Sequence, residues 1–365
     1  HFVCVFYLFW EEGEKMQTAV HGGDIYRNQV QYDFSVNTNA LGIPKSVQEA
    51  LEHAVRDCAK YPDPCTEQLK AAIARKDAVN KDWIICGNGA SELFAAAVHA
   101  VKPKKILIPV PSFYGYEWAA GMENSKIVFF QMKEENQFCL TKDFLSELTG
   151  DIDLLFLANP NNPVGNKIDE MLLEEILVRC RQNRIFVVLD ECFLEFCERE
   201  RVDSFRDKME EYPNLLLVRA FTKIFAIPGV RLGYLISANE ALREKIEKQL
   251  PEWNVSMFAQ YAGVAAAKET DYVKKTVDFI RKEREFMMES LNELKQISVF
   301  TSSKTNFLLL KSGLSLYDIL LERQILIRSC RNYRGLGKDF YRVAVRSHSE
   351  NEVLLHRLRE VDMHC

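Results

Sequence analysis

The sequence predicts an α/β protein with one large domain built on a mainly parallel sheet and a second, smaller α+β domain. Three observations predict it. From residue 46 onward, helical patterns alternate with short apolar runs. Those runs are continuous instead of alternating, which marks strands covered on both faces. The last third turns charged and helix-rich, with short strands between the helices.

In chain order, SVQEALEHAVRD (46–57), EQLKAAIARKD (67–77) and ASELFAAAVHAVK (90–102) space their apolar residues by three and four, as helices do. ILIPV (106–110), DLLFLANP (153–160), RIFVVLDE (184–191) and NLLLVRAF (214–221) read as buried strands. The amphipathic stretch EMLLEEILVRCRQNR (170–184) is a crossover helix between two of them. Strand, helix, strand in that order implies parallel pairing with right-handed crossovers. Further on, 242–249 and 273–296 read as helices, and ISVF (297–300), NFLLLK (306–311), QILIRSC (324–330) and FYRVAVRS (340–347) as short strands. With no repeat or long linker, the expected division is an N-terminal arm at 16–45 joining the small domain, a large domain at 46–245 and the small domain at 246–365.

Composition narrows the function classes. At 365 residues and 47% hydrophobic the chain can bury a sizeable core, which excludes disorder. Lys and Arg number 47 against 52 Asp and Glu, a net charge of −5, and no basic stripe points to nucleic acid. The ten cysteines include no C-x-x-C pair, so neither a zinc ribbon nor a thioredoxin-like site is expected, and reduced thiols suit a cytoplasmic protein. The apolar head FVCVFYLFW (2–10) is too short to span a bilayer and lacks the flanks of a signal peptide, so no membrane partner is expected. Met16 is the expected native start, with residues 1–15 a non-native extension; a native N-terminus upstream of Met16 would contradict this.

Polar residues end the apolar runs, where open α/β sheets place their ligands. Asn159-Pro160-Asn161-Asn162-Pro163-Val164-Gly165 follows the second of the four strands, and Asp190-Glu191 the third. Thr222-Lys223 and then Pro228-Gly229-Val230-Arg231 follow the fourth. Singly these are ordinary: a turn-rich loop, a helix-capping carboxylate, a solvated lysine. In this order they are specific. Asn162 to Asp190 is 28 residues and Asp190 to Lys223 is 33, each about one strand–helix–strand unit, so the groups can converge at neighbouring strand ends.

The set resembles the fold-type I pyridoxal-phosphate enzymes, the aspartate aminotransferase superfamily, over about residues 20–358. The resemblance implies pyridoxal 5′-phosphate as cofactor and a catalytic pair, Lys223 and Asp190. Lys223 would hold the cofactor covalently and then act as acid or base. Asp190 would pair with the pyridine nitrogen, Asn162 would donate to the ring's 3′-oxygen, and Phe113 would stack on the ring. Arg231, Thr222 and the helix start at Gly89, Ala90 and Ser91 would grip the cofactor phosphate. Tyr61 would reach that phosphate from a partner subunit, which implies a homodimer with shared active sites. The chain departs from the superfamily pattern at Phe193 (commonly tyrosine), Ala220 (commonly serine) and Val164 (commonly threonine).

The two ends narrow the resemblance. His21-Gly22-Gly23-Asp24 and the run Asp33 to Gly42, DFSVNTNALG, are similar to the opening of the family that decarboxylates L-threonine O-3-phosphate to (R)-1-amino-2-propanol O-2-phosphate for cobalamin. The tail ILIRSCRNYRGL (325–336) and FYRVAVRS (340–347) resembles that family too, although proline is common there at the positions of Ala40 and Arg334. The implied substrate is a phosphorylated amino acid. Arg346 is expected to bind its carboxylate, Arg328, His21 and Asn332 are the candidates for its phosphate end, and Asn37 is a further substrate contact; Arg331 and Arg334 are expected to be solvated. Transamination of the histidinol-phosphate type stays open, because the same lysine, aspartate and arginine serve both reactions. Phosphoserine in place of phosphothreonine stays open too, since one methyl group gives little discrimination.

Overall fold

The computed structural model describes residues 22–198 and 205–363. The chain enters through a short strand β1 (Tyr32–Asp33) and helices α1 (Lys45–Asp57) and α2 (Glu67–Asp77). Strand β2 (Ile84–Gly87), helix α3 (Ala90–Val101), strand β3 (Lys105–Val110), the short helix α4 (Gly115–Ala120) and strand β4 (Lys126–Gln131) follow. Next come β5 (Leu154–Ala158), α5 (Glu170–Gln182), β6 (Phe186–Asp190), β7 (Leu215–Ala220) and β8 (Gly233–Ile236). The remaining helices are α6 (Glu240–Glu247), α7 (Met257–Ala266), α8 (Thr270–Asn292), α9 (Leu316–Leu321) and α10 (His348–Met363). Among them lie β9 (Ser298–Val299), β10 (Phe307–Lys311), β11 (Ile325–Leu326), β12 (Arg328–Ser329) and β13 (Phe340–Ala344).

Seven strands form one sheet in the order β2-β8-β7-β6-β5-β3-β4. Pairing is parallel from β7 through β6, β5 and β3 to β4, while β8 runs antiparallel to both its neighbours. Every residue of β5 and β7 is buried, which is why these segments read as continuous apolar runs. Alternation still sorts the faces. Leu155, Leu157, Val187, Leu189, Leu215 and Leu217 join one core layer, and Leu154, Phe156, Val188, Leu216 and Val218 the other.

The four strands and the crossover helix expected in the first two thirds are present, as are helices α1 to α3. Three strands of the large sheet escaped the sequence reading. Of these, β2 and β8 are only four residues each, too short for a periodic signal, and β4 is only partly buried. The run QILIRSC splits into two strands. Tyr32 and Asp33 of β1 pair in parallel with Ile325 and Leu326, while Arg328 and Ser329 pair with β13 in a four-stranded sheet β12-β13-β10-β9. The N-terminal segment is thereby sewn to the C-terminal third; Ala344 also donates its backbone N–H to Phe34.

The consequence for function lies at one edge of the large sheet. Parallel β5, β6 and β7 all end on that edge, in a register that sets Ala158 beside Asp190 and Asp190 beside Val218. The segments after those positions carry Asn162, Asp190, Thr222 and Lys223.

Candidate active site

Asp190 is the last residue of β6 and is 9% exposed. By parity it shares a face with Val188, under α4. There Tyr116, stacked on Phe156 with ring centroids 5.1 Å apart, donates its hydroxyl to Asp190 Oδ2 at 2.6 Å. The backbone N–H of Cys192 donates to Oδ1 at 2.9 Å. Burial raises the pKa of the Asp190 carboxyl, and the bonds from Cys192 and Tyr116 oppose that rise. Burial together with the adjacent carboxylate also holds the Tyr116 phenol well above its usual range, so it stays a donor. Phe113 meets Tyr116 edge to face at 5.7 Å, which puts an aromatic ring beside the aspartate.

Glu191 has the opposite parity and faces the other way. Arg219 of β7 reaches its Oε2 through Nε at 2.9 Å and Nη2 at 2.7 Å. The same guanidinium meets Asp77 at the end of α2, 3.2 Å away, and Tyr234 of β8 donates to Asp77 at 2.6 Å. This buried network ties α2, β6, β7 and β8 together directly behind the site.

Lys223 follows β7 and is partly buried. Its amine is pushed down to about 8, first by burial and then by the positive charges of Arg342 and Arg231. The Asn39 backbone N–H donates to the Lys223 carbonyl, and the Asn39 side chain to the Ile224 carbonyl, so the N-terminal segment fixes the lysine loop. Thr222, next to it, is 5% exposed. Arg231 is exposed, in left-handed backbone with φ +61°, and packs on Gly89. A Cβ at Gly89 would lie 2.4 Å from its Nη2. Gly89 caps α3 with φ +83°, a conformation that suits glycine, and leaves the first backbone N–H groups of Ala90 and Ser91 open beside that guanidinium.

Asn162 is 9% exposed, and its Oδ1 accepts from Arg342 Nη1 at 2.5 Å and from the Tyr333 hydroxyl at 3.4 Å. Arg342 is the unexpected member. It is 6% exposed, also donates to the Ser35 carbonyl at 3.0 Å, and lies over the Phe307 ring at 5.3 Å. Arg328 is its direct cross-strand partner and equally buried. The Arg328 Nη2 donates to Asn332 Oδ1 at 2.7 Å, and the guanidinium lies 5.4 Å over the Tyr333 ring. Neither arginine has a carboxylate partner among the described residues.

Several expectations need correction or qualification. Arg346 is not brought to this cluster; it lies beyond the end of β13 and pairs with Glu350 at 3.3 Å. Arg342, missed in the sequence reading, is the arginine that meets Asn162. Both arginines have the same strand parity, so alternation could not separate them. Arg334 is exposed, as expected, and is also paired with Glu117 at 3.0 Å. Phe193 packs edge to face on Phe307 at 5.1 Å and adds no hydroxyl to the site. Asn37 is buried, and its carbonyl accepts from Asn306 Nδ2. Tyr61 is 80% exposed, its ring 4.8 Å from that of Trp253. His21 lies outside the described residues. Tyr116 and Tyr333 were also missed: no spacing signal marks either of them.

A lowered lysine amine, a buried carboxylate at a strand end and a glycine-capped helix start beside an arginine define an enzyme built to hold a phosphorylated carbonyl cofactor. Comparison with known proteins gives the family. The chain belongs to the aminotransferase class I and II family, whose model matches residues 29–358. The cofactor of these enzymes is pyridoxal 5′-phosphate.

The chain is 36% identical over 332 residues to the threonine-phosphate decarboxylase of Salmonella typhimurium, covering 90% of each chain. It is 34% identical to the histidinol-phosphate aminotransferase of Clostridium kluyveri, covering 83% of this chain and 84% of that one. Among solved structures, the histidinol-phosphate aminotransferase of Clostridium acetobutylicum superposes with a TM-score of 0.85 at 33% identity, covering 92% of this chain and 100% of that one. The L-threonine-O-3-phosphate decarboxylase of Porphyromonas gingivalis shares the fold at a TM-score of 0.79 and 23% identity, covering 90% and 98%.

Proposed function

We propose that this chain decarboxylates L-threonine O-3-phosphate, giving (R)-1-amino-2-propanol O-2-phosphate and carbon dioxide, for cobalamin synthesis. The observation that carries the reading is the pair Arg328 and Arg342, directly opposite each other on β12 and β13 and both buried. Like charges at a directly opposed pair are destabilising, and burial without a carboxylate adds to the cost. A substrate with two anionic ends relieves both. Overall similarity to the decarboxylase of Salmonella typhimurium supports the same reading.

The residues fit pyridoxal 5′-phosphate. Its phosphate suits the cradle of Gly89, Ala90, Ser91, Thr222 and Arg231, where a single Cβ on Gly89 would fill the space beside the guanidinium. Its ring nitrogen suits the buried Asp190, its 3′-oxygen the Asn162 amide, and its face Phe113. When bound, the cofactor supplies an electron sink for the bond that breaks at the substrate α-carbon.

The chain's own groups do the rest. Arg342 is the better candidate for the α-carboxylate, in place of Arg346, because its planar fork already points at Asn162. Arg328, held by Asn332, is the candidate for the phosphate monoester, with Asn37 and His21 as the N-terminal contributions. Lys223, with its amine near 8, can lose and return a proton close to neutral pH and would protonate the α-carbon after carbon dioxide leaves. The Tyr116 hydroxyl and the Cys192 N–H hold the Asp190 carboxylate in place.

The proposed organisation is an arm at 16–45 joining the small domain of 246–365, with 46–245 as the large domain. We also read the protein as a cytoplasmic homodimer in which Tyr61 serves the partner's phosphate site; exposed Tyr61 and Trp253 support this. No helix among the described residues is long and apolar enough to cross a membrane. A histidinol-phosphate aminotransferase is the second reading, favoured by the likeness to the Clostridium acetobutylicum enzyme. One assay separates them. Carbon dioxide released from L-threonine phosphate without any keto acid supports the first; turnover of histidinol phosphate that requires 2-oxoglutarate overturns it. Running L-serine phosphate alongside ranks the two phosphoamino acids.

A further inference from the structure

Arg334 was expected to be solvated, yet it is held on two sides. Its Nε lies 3.2 Å from both carboxylate oxygens of Glu117, and its Nη2 lies 3.0 Å from Oε2. The guanidinium carbon lies over the ring of Phe129 on β4, 4.1 Å from its centroid. A paired fork stacked on a ring is the geometry that distinguishes arginine from lysine. The contact joins positions 217 residues apart: Glu117 in α4, on the large sheet, and Arg334 in the loop between β12 and β13.

Both ends of this contact sit one residue from the site. Glu117 follows Tyr116, which bonds Asp190. Arg334 follows Tyr333, whose hydroxyl meets Asn162 and Arg342 at 3.4 and 3.3 Å, and Asn332 holds Arg328. Beyond Arg334, the chain turns at Gly335, φ +82°, close against Gln131 at the end of β4; a Cβ there would lie 2.6 Å from the Gln131 amide. The loop therefore lies against the large sheet at Phe129 and Gln131 and is clipped down by the ion pair.

We propose that Glu117 and Arg334, with Phe129 beneath the guanidinium, form a clasp that holds the loop of Asn332 and Tyr333 closed over the anion-binding end of the site. Both are positioning residues: they act through Asn332 on Arg328 and through Tyr333 on Asn162 and Arg342. The inference rests on reading Arg328 and Arg342 as the substrate's anion grips. Releasing the clasp lowers the fraction of molecules with the loop in its binding position, and apparent affinity falls by that fraction.

The test uses holoenzyme of Arg334→Gln, Arg334→Lys, Glu117→Gln and the Glu117→Gln/Arg334→Gln double variant. Each Gln single variant is expected to raise KM about three- to tenfold with kcat changed less than about twofold, in keeping with a stacked, bidentate surface pair. The double variant should be no worse than the singles, because removing either partner already opens the clasp. Arg334→Lys should recover only part of the loss. Cofactor absorbance and cofactor affinity should stay at wild-type values.

A readout independent of turnover is tryptic cleavage at Arg331 and Lys338, both exposed, which should accelerate in Glu117→Gln while the unfolding midpoint holds. Unchanged KM in both single variants, additive losses in the double, unchanged cleavage, or a parallel loss of bound cofactor would each overturn the clasp. If wild-type enzyme fails on L-threonine phosphate but turns over histidinol phosphate, the substrate reading has failed; the variants are then compared on histidinol phosphate, where the same KM pattern still decides the clasp.

Discussion

Asn162 Oδ1 accepts a 2.5 Å hydrogen bond from Nη1 of Arg342. A guanidinium can only donate, so this contact fixes which end of the amide is oxygen. That leaves the Asn162 NH2 as the donor we propose for the cofactor's 3′-oxygen. Since Phe193 offers no hydroxyl, the polarity of one amide would carry the proposed interaction.

Arg342→Lys is therefore expected to lower kcat/KM on L-threonine phosphate by about 100-fold, the scale of a lost bidentate, charge-assisted contact. Arg346→Lys, altering a pair with Glu350 outside the cluster, should change it less than about threefold. Steady-state kinetics of the two variants decide the assignment; equal losses would contradict it.

Lys223 gives a pH dependence with a definite sign. Burial, then Arg342 and Arg231, lower its pKa from 10.5 to about 8. Between those values the unfolded chain carries a proton the folded one lacks, so stability rises with pH across that window; below it the full cost of the buried charge is present. Apoprotein with Lys223→Met should be more stable than wild-type apoprotein at pH 7, and the difference should shrink as pH climbs from about 8 to 10.5. Urea unfolding at pH 7, 9 and 10 measures it, and a constant difference would refute the buried-charge explanation. The rate at which wild-type apoprotein takes up cofactor should rise through pH 8, as the neutral amine becomes available.

The network behind the site has a stability consequence instead. Asp77 is fully buried, and its carboxyl is held well below the usual carboxylate range: burial opposes ionisation, but Arg219, Lys76, Tyr234 and Arg206 together outweigh it. Its contribution is thus present above the ordinary value of 3.8 and fades only as the solution is acidified below it. Asp77→Asn strands Arg219 with half its counter-charge and should cost about 3–5 kcal/mol at pH 7. Tyr234→Phe, which removes one hydroxyl, should cost about 1–3 kcal/mol. Denaturant titrations check both, and a loss below 1 kcal/mol in Asp77→Asn would refute the network's role.

Much of the site was legible because strand ends announce themselves. Asn162, Asp190 and Lys223 each follow a continuous apolar run, and one crossover apart is a distance the chain itself shows. The glycine before Ala90 was legible for a similar reason, as a turn residue opening a helix. Tyr116 was not, because what makes it matter is its stacking on Phe156 and its reach to a strand more than seventy residues later. The pairing of exposed Arg334 was not legible for the same reason: its partner Glu117 lies 217 residues earlier, and nothing local suggests the pair.

The sequence by itself determined the fold class, the order of the chemical groups and the placing of a carboxylate and an amine at the ends of neighbouring parallel strands. Those follow from continuous apolar runs and from patterns of period 3.6, which a chain carries regardless of its partners. Only the tertiary structure decided which arginine of RVAVR meets Asn162. Arg342 and Arg346 have the same parity, so periodicity assigns both to one face. The strand stops at Ala344, and only the pairing of β13 with β12 sets Arg342 opposite Arg328 and leaves Arg346 beyond the sheet with Glu350. Register and strand ends are properties of two segments meeting, and neither segment alone contains them.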